Sequence, residues 1–168
     1  GSWDYENYPQ SLFCDYQRVS DAHYVEGSYL ASNPSSYLHT RKIIMLEEGV
    51  WLVIDDIRCA GDHKLRTQFI LDSQVIYSPS QVNNLKLWSK IPLELEKTFI
   101  SKKYNELEES SKLVKIQKFS DRIIDATLIA DQSFTVKYHK VYQTDGGQLP
   151  NALAIEIENN HTNKLILV

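Results

Sequence analysis

RKIIMLEEGVWLVIDDIRCAGDHKLRTQFIL, residues 41–71, is the stretch that decides the fold. Its last part alternates. Leu65, Thr67, Phe69 and Leu71 point one way and Lys64, Arg66, Gln68 and Ile70 the other, as successive side chains on a pleated strand must. Upstream, Arg41 to Leu46 and Val50 to Ile57 flank Glu47-Glu48-Gly49, a short link whose glycine can take the positive φ of a turn, so the two arms read as a β-hairpin. The second arm, VWLVIDDI, is apolar on both faces until Asp55 and Asp56, which predicts a central strand covered on both sides. Ala60-Gly61-Asp62 reads as a turn into the Lys64 strand and completes a three-stranded meander.

Outward from this centre, strands are expected at Gln74 to Tyr77, Leu85 to Ser89, Leu113 to Phe119, Arg122 to Ile129, Phe134 to Tyr142, Ala152 to Glu158 and Lys164 to Val168. Turn residues such as Thr144-Asp145-Gly146-Gly147 and Asn159-Asn160 separate them. Only Lys102 to Ser111 has the composition of a helix, and a short one. The expected class is therefore all-β, a two-sheet antiparallel β-sandwich with at most one short helix. No repeat or linker divides the chain, so residues 1–168 are expected to form one domain. Gly1 and Ser2 read as a cleavage remnant, and that domain is expected to be a piece of a larger multidomain protein.

With 42% hydrophobic and 24% charged residues the chain is neither disordered nor fibrous. Its net charge of -4, with scattered lysines and arginines, offers no stripe for tracking phosphates, so nucleic acid is not an expected partner. No apolar run approaches the roughly 20 residues of a membrane helix, and a soluble chain without a membrane partner is expected. The N-terminus lacks the basic and apolar regions of a signal peptide.

His23, His39, His63, His139 and His161 show no spacing that places two imidazoles side by side on one face, and no metal site is expected. Cys14 and Cys59 make no C-x-x-C pair and read as two small buried hydrophobes. Asp55 and Asp56 are adjacent on a strand and point to opposite faces, so they are not a catalytic pair. They mark the expected end of the strand and are candidates for structural pairing with Arg41, Arg58 or Arg66. Nucleophile elbow, P-loop and dinucleotide fingerprints are absent from the sequence. Ten tyrosines and three tryptophans remain, most of them expected on sheet surfaces or in the core, although exposed aromatic faces also stack sugar rings.

From Asp21 to Leu71 the sequence resembles the C-terminal region of heparinase II/III-like polysaccharide lyases. The matching residues are Gly27 and Tyr29, His39 and Arg41, Trp51, Val53 and Asp55, then Gly61 and His63 (one residue closer than usual) and Phe69. The resemblance implies a supersandwich-like β domain that closes one side of a substrate cleft behind an N-terminal helical toroid. In such enzymes a Tyr and a His act as acid and base in β-elimination of uronic-acid-containing glycans, and a structural zinc sits in the β domain. The zinc and catalytic signature, His-x-His-x-Asp, Asp-x-Gly and a His-Asn pair, has no match here, so no catalytic residue, metal ligand or cofactor is expected in this chain.

What remains is an expected role as the distal part of a lyase's β-sandwich, itself non-catalytic. Tyr29, His39, Arg41 and His63 are the candidates for contact with an acidic polysaccharide such as a glycosaminoglycan, and the intact parent is expected to be periplasmic or secreted. The alternative is a free-standing carbohydrate-binding or structural β-sandwich module.

Overall fold

The computed structural model describes residues 9–31, 36–46, 49–78, 81–161 and 163–167, and every regular element among them is a strand. The first four are β1 (Gln10–Val19), β2 (Ala22–Ala31), β3 (Tyr37–Leu46) and β4 (Val50–Ile70). The short strands β5 (Tyr77–Ser78), β6 (Gln81–Val82) and β7 (Leu85–Ser89) precede β8 (Glu94–Lys103) and β9 (Glu106–Ala130). Last come β10 (Thr135–Tyr142), β11 (Gln148–Glu158) and β12 (Asn163–Leu167). One antiparallel sheet runs β1-β2-β3-β4-β9-β7-β6-β5, with β8 also paired to β9, and a second runs β10-β11-β12. The two-sheet antiparallel β-sandwich expected from the sequence is the observed architecture.

Its core forms where the sheets face each other. Val50, Leu52 and Ile54 of β4 and Ala126, Leu128 and Ala130 of β9 share one face and pack with Ile155 and Ile157 of β11 and with Phe134. Full burial of side chains like Leu52 and Ile155 contributes about 1.5–3 kcal/mol each and fixes the register of β4 against β9.

The meander does not form. Ala60-Gly61-Asp62 leaves the strand direction intact and makes a bulge between Cys59 and Asp62, so β4 runs on to Ile70 with β9 beside it throughout. The segments expected as separate strands at Leu113 to Phe119 and Arg122 to Ile129 are two parts of β9. Gly61 takes φ +88°, Asp121 opposite takes +61°, and the Gly61 amide donates to Asp121 Oδ1 at 2.8 Å. Only glycine enters that region without steric cost, and Asp is among the few residues that tolerate it.

At this bulge the β4–β9 ribbon folds back over itself. Gln117 Nε2 lies 2.7 Å from Asp125 Oδ1, whereas eight residues of straight strand would separate them by roughly 26 Å. A concave space is left between the two halves.

Other expectations are also corrected. Lys102 to Ser111 is the β8–β9 hairpin, not a helix, with Asn105 at φ +61° in its turn. Asp55 and Asp56 lie in the middle of β4, not at its end. The VWLVIDDI segment is central in the sheet, and on its second face it is open at Trp51, 45% exposed, and covered at Asp55, which is buried. Cys14 is exposed and Cys59 half-buried, and both are free thiols; Cys14 lies on the edge strand β1, where little packs over it.

Candidate functional site

The cross-strand register brings the singled-out residues together. Gly27, Arg41, Asp55 and Asp125 lie opposite one another on β2, β3, β4 and β9, and Tyr29, His39, Ile57 and Ile123 form the next row on the same face. The Asp55 carboxylate is buried and takes Arg41 bidentately, Nε at 2.8 Å and Nη2 at 3.0 Å, with His39 Nε2 at 2.6 Å on Oδ1. A carboxylate only accepts, so His39 carries its proton on Nε2. His39 Nδ1 then accepts from the Tyr29 hydroxyl at 2.9 Å.

Burial pushes the Asp55 pKa up, and the hydrogen bonds from His39 and Arg41 outweigh it, so the net shift is downward. The hydrogen bond to Asp55 also raises Arg41. Burial and the adjacent Tyr37 hydroxyl push Tyr29 up to about 12. A phenol shifted that way keeps its proton at neutral pH and is a poor general base. The Tyr29–His39–Asp55 chain therefore orients its members and holds Arg41, whose side chain is 51% exposed, with its charge toward solvent.

The folded-back half of the ribbon supplies the opposite wall. Tyr29, His39, Arg41 and Asp55 face His63, Leu65, Thr67 and Phe119 across a groove of about 380 Å³. His63 is tied to the bulge, with Nε2 2.8 Å from the Ala60 carbonyl and 3.0 Å from Cys59 Sγ, and its ring is 5.7 Å from that of Phe119. All four contact candidates thus border one groove, His63 from across it.

On the other face of β4, Asp56 is held by Arg122, Nε at 2.9 Å and Nη2 at 2.8 Å, and by Arg58 at 3.2 Å. Burial raises its pKa, and these two arginines more than offset the effect. Arg122 was not singled out in the sequence, and Arg66 pairs with Glu96 instead. The alternation of β9 places Arg122 on that face, but only the β4–β9 pairing, invisible in sequence, brings it to Asp56.

A second group the sequence did not flag lies behind the groove. Lys115, with no exposed side chain, reaches Asp125 Oδ1 at 2.9 Å, Ser89 Oγ and Thr127 Oγ1 at 2.7 Å and the Ala126 carbonyl at 3.1 Å. Thr67 and Gln117 donate to the same Asp125 carboxylate at 3.0 and 2.7 Å. Burial pushes the Lys115 pKa down, against the pull of Asp125. Asp55 and Asp125 are directly opposite, an unfavourable like-charge pair. Arg41 and His39 on one and Lys115 on the other offset that repulsion.

The zinc implied by the resemblance finds no fitting donor set among the described residues. Among the described residues no three His, Cys, Asp or Glu side chains converge on a point, and beside Cys59 and His63 the third neighbour is a backbone carbonyl. Elemental analysis after exhaustive dialysis is expected to give far less than one zinc per chain; a value near one would place a site on strands not brought together here.

No protein-family model and no curated protein matches the sequence. Among solved structures, the chain is similar to the heparan sulfate lyase HepC from Pedobacter heparinus, with 15% identity and a TM-score of 0.65 over 95% of this chain and 28% of that one. It is similar also to the heparinase III BT4657 gene product, with 11% identity and a TM-score of 0.64 over 95% of this chain and 27% of that one. A further heparinase III structure matches at 10% identity and a TM-score of 0.62. At these identities the likeness establishes architecture: the chain has the fold of the β region it matches in heparinase structures and spans a little over a quarter of their length.

Proposed function

We propose that this chain is the distal part of the β-sandwich of a heparinase-III-like polysaccharide lyase, and that it contributes one wall of the glycan cleft without supplying catalytic groups. In the intact parent a helical toroid faces this wall, and the substrate is a uronic-acid-containing polysaccharide cleaved by β-elimination. The observation that carries the reading is the half-exposed Arg41 guanidinium, held at the mouth of the groove by buried Asp55. A fixed cation beside His39 and Tyr29 suits a carboxylate or sulfate on a sugar ring, which an arginine fork meets bidentately. The solved structures with this fold include a heparan sulfate lyase, which supports the substrate class. Lyase chemistry needs a group to remove the proton α to the uronate carboxylate. In this groove Tyr29 is shifted the wrong way and His39 Nε2 is committed to Asp55.

Two measurements on the purified chain test the proposal. Incubation with heparan sulfate, hyaluronan or alginate is expected to give no unsaturated uronate absorbance above a boiled control. Binding of heparan sulfate is expected to weaken as salt rises, and Arg41→Ala to weaken it about tenfold at low salt, the loss of one charge-assisted contact. Steady product formation would overturn the non-catalytic role. Equal binding by wild type and variant would remove Arg41 from the contact.

A free-standing carbohydrate-binding module is a second reading, favoured by the half-exposed aromatics Tyr16 and Trp51 on the same sheet face. Both readings share the glycan contact.

A further inference from the structure

Beyond the groove, the face that carries Arg41 and His39 continues along β1–β4 toward the opposite end of the sheet. Register places Arg18, His23, Met45 and Trp51 in one row across these strands, and Tyr16, Val25, Ile43 and Val53 in the next. Trp51 is 45% and Tyr16 58% exposed. The Tyr16 ring stacks on His23, centroids 6.0 Å apart and 23° from parallel, with its hydroxyl 2.8 Å from His23 Nδ1. Among the described residues of β1–β4, the acidic group on this face is Asp55, which is buried and already paired.

We propose that Tyr16, His23 and Trp51 form a second glycan subsite, continuous with the groove, that stacks sugar rings of an extended acidic polysaccharide. This inference rests on the glycan contact proposed above and lengthens it. From Trp51 to the Ile57 row is six residues, about 20 Å of strand, so one chain lying along the face meets Trp51 at one end, Arg41 between and His39 with Tyr29 at the other. Flat aromatic surfaces accept the apolar faces of sugar rings. Asp55 and, beside it on β9, Asp125 are buried and paired, while Arg41 stays half-exposed, so the described residues of β1–β4 offer a polyanion a cation and no exposed carboxylate on this face. That charge pattern and the continuity with the groove favour a glycan over a second copy of this acidic chain, whose net charge is -4.

The test is calorimetric titration of the chain with heparan sulfate disaccharide and decasaccharide. Trp51→Ala is expected to weaken the decasaccharide about tenfold and leave the disaccharide unchanged; Trp51→Phe, which keeps a ring, is expected to retain most of the affinity. Tyr16→Ala, on the exposed edge strand, gives a second readout should Trp51→Ala fail to fold, with the same expected loss for the long ligand only. Unchanged decasaccharide affinity in Trp51→Ala and Tyr16→Ala would overturn the subsite while leaving the groove intact. Concentration-dependent self-association lost in Trp51→Ala, with glycan affinity unaltered, would assign the face to a second copy. A wild-type chain that binds neither ligand would sink the glycan reading itself.

Discussion

Lys115→Ala is expected to lower the unfolding midpoint as much as truncating a fully buried core side chain does. The side chain is fully buried and its ammonium has four oxygen neighbours. Its removal leaves the Asp125 carboxylate in the interior without its cation, and breaking a buried pair from one side costs about 3–5 kcal/mol. For a domain of this size that is a fall in Tm of roughly 8–15 °C. The double change Lys115→Met with Asp125→Asn is expected to cost much less than the two single changes summed, because it removes the orphaned charge as well. Thermal melts followed by circular dichroism decide it. Additive losses would mean that the two residues are not coupled, and the fold-back of the β4–β9 ribbon would then need another anchor.

Asp55→Ala is the second large effect, and it acts on stability and on the groove together. It strips the acceptor from His39 Nε2, whose side chain is largely buried, and frees Arg41, whose guanidinium regains water. The expected cost is about 2–3 kcal/mol, a Tm loss of roughly 5–10 °C. The wild type should also be acid-sensitive through this group. The folded-state pKa of Asp55 lies below its ordinary 3.8, so the unfolded chain takes up the proton at higher pH than the folded one. The stabilisation is complete above that ordinary value and is lost as pH falls from 3.8 through the folded pKa. Asp56, lowered by Arg122 and Arg58, adds a component of the same sign. Asp55→Ala is expected to flatten, not abolish, the fall in stability below pH 3.8; an unchanged acid limb would mean that Asp55 titrates normally in the folded chain.

Much of the architecture was legible because burial imposes a period. Residues 64–71 alternate in exposure as the sequence alternates, with Thr67 buried and Lys64, Arg66, Gln68 and Ile70 outside. The pairing of Arg41 with Asp55 follows from the hairpin, since β3 and β4 bring those residues directly opposite. Edge strands leave a weaker trace. β1 is exposed along almost its whole length, so SLFCDYQRV carries no inside-outside pattern and gave no strand signal. KKYNELEES is rich in helix formers, yet tertiary pairing of β8 with β9 overrides that propensity.

The bulge and the buried lysine were hidden for a different reason. Ala-Gly-Asp is good turn chemistry, and nothing local distinguishes a reversal from a bulge whose partner residue, Asp121, lies some 60 positions away. Lys115 looks like an ordinary polar member of LVKIQKF; it is interior only because the ribbon folds back, a long-range event that alternation does not encode. Those two features make the groove, which explains why its residues, His63 included, were named from the sequence while the fold-back that sets His63 opposite the others was not.

The most direct test of a non-catalytic glycan wall is a nuclear magnetic resonance titration of the chain with an acidic heparan sulfate oligosaccharide, following backbone amides and the histidine and arginine side chains. The account predicts shifts centred on Tyr29, His39, Arg41 and His63, with the β10-β11-β12 sheet silent and the oligosaccharide recovered uncleaved. Shifts confined to β10-β11-β12, no shifts at all, or an unsaturated product in the tube would contradict it.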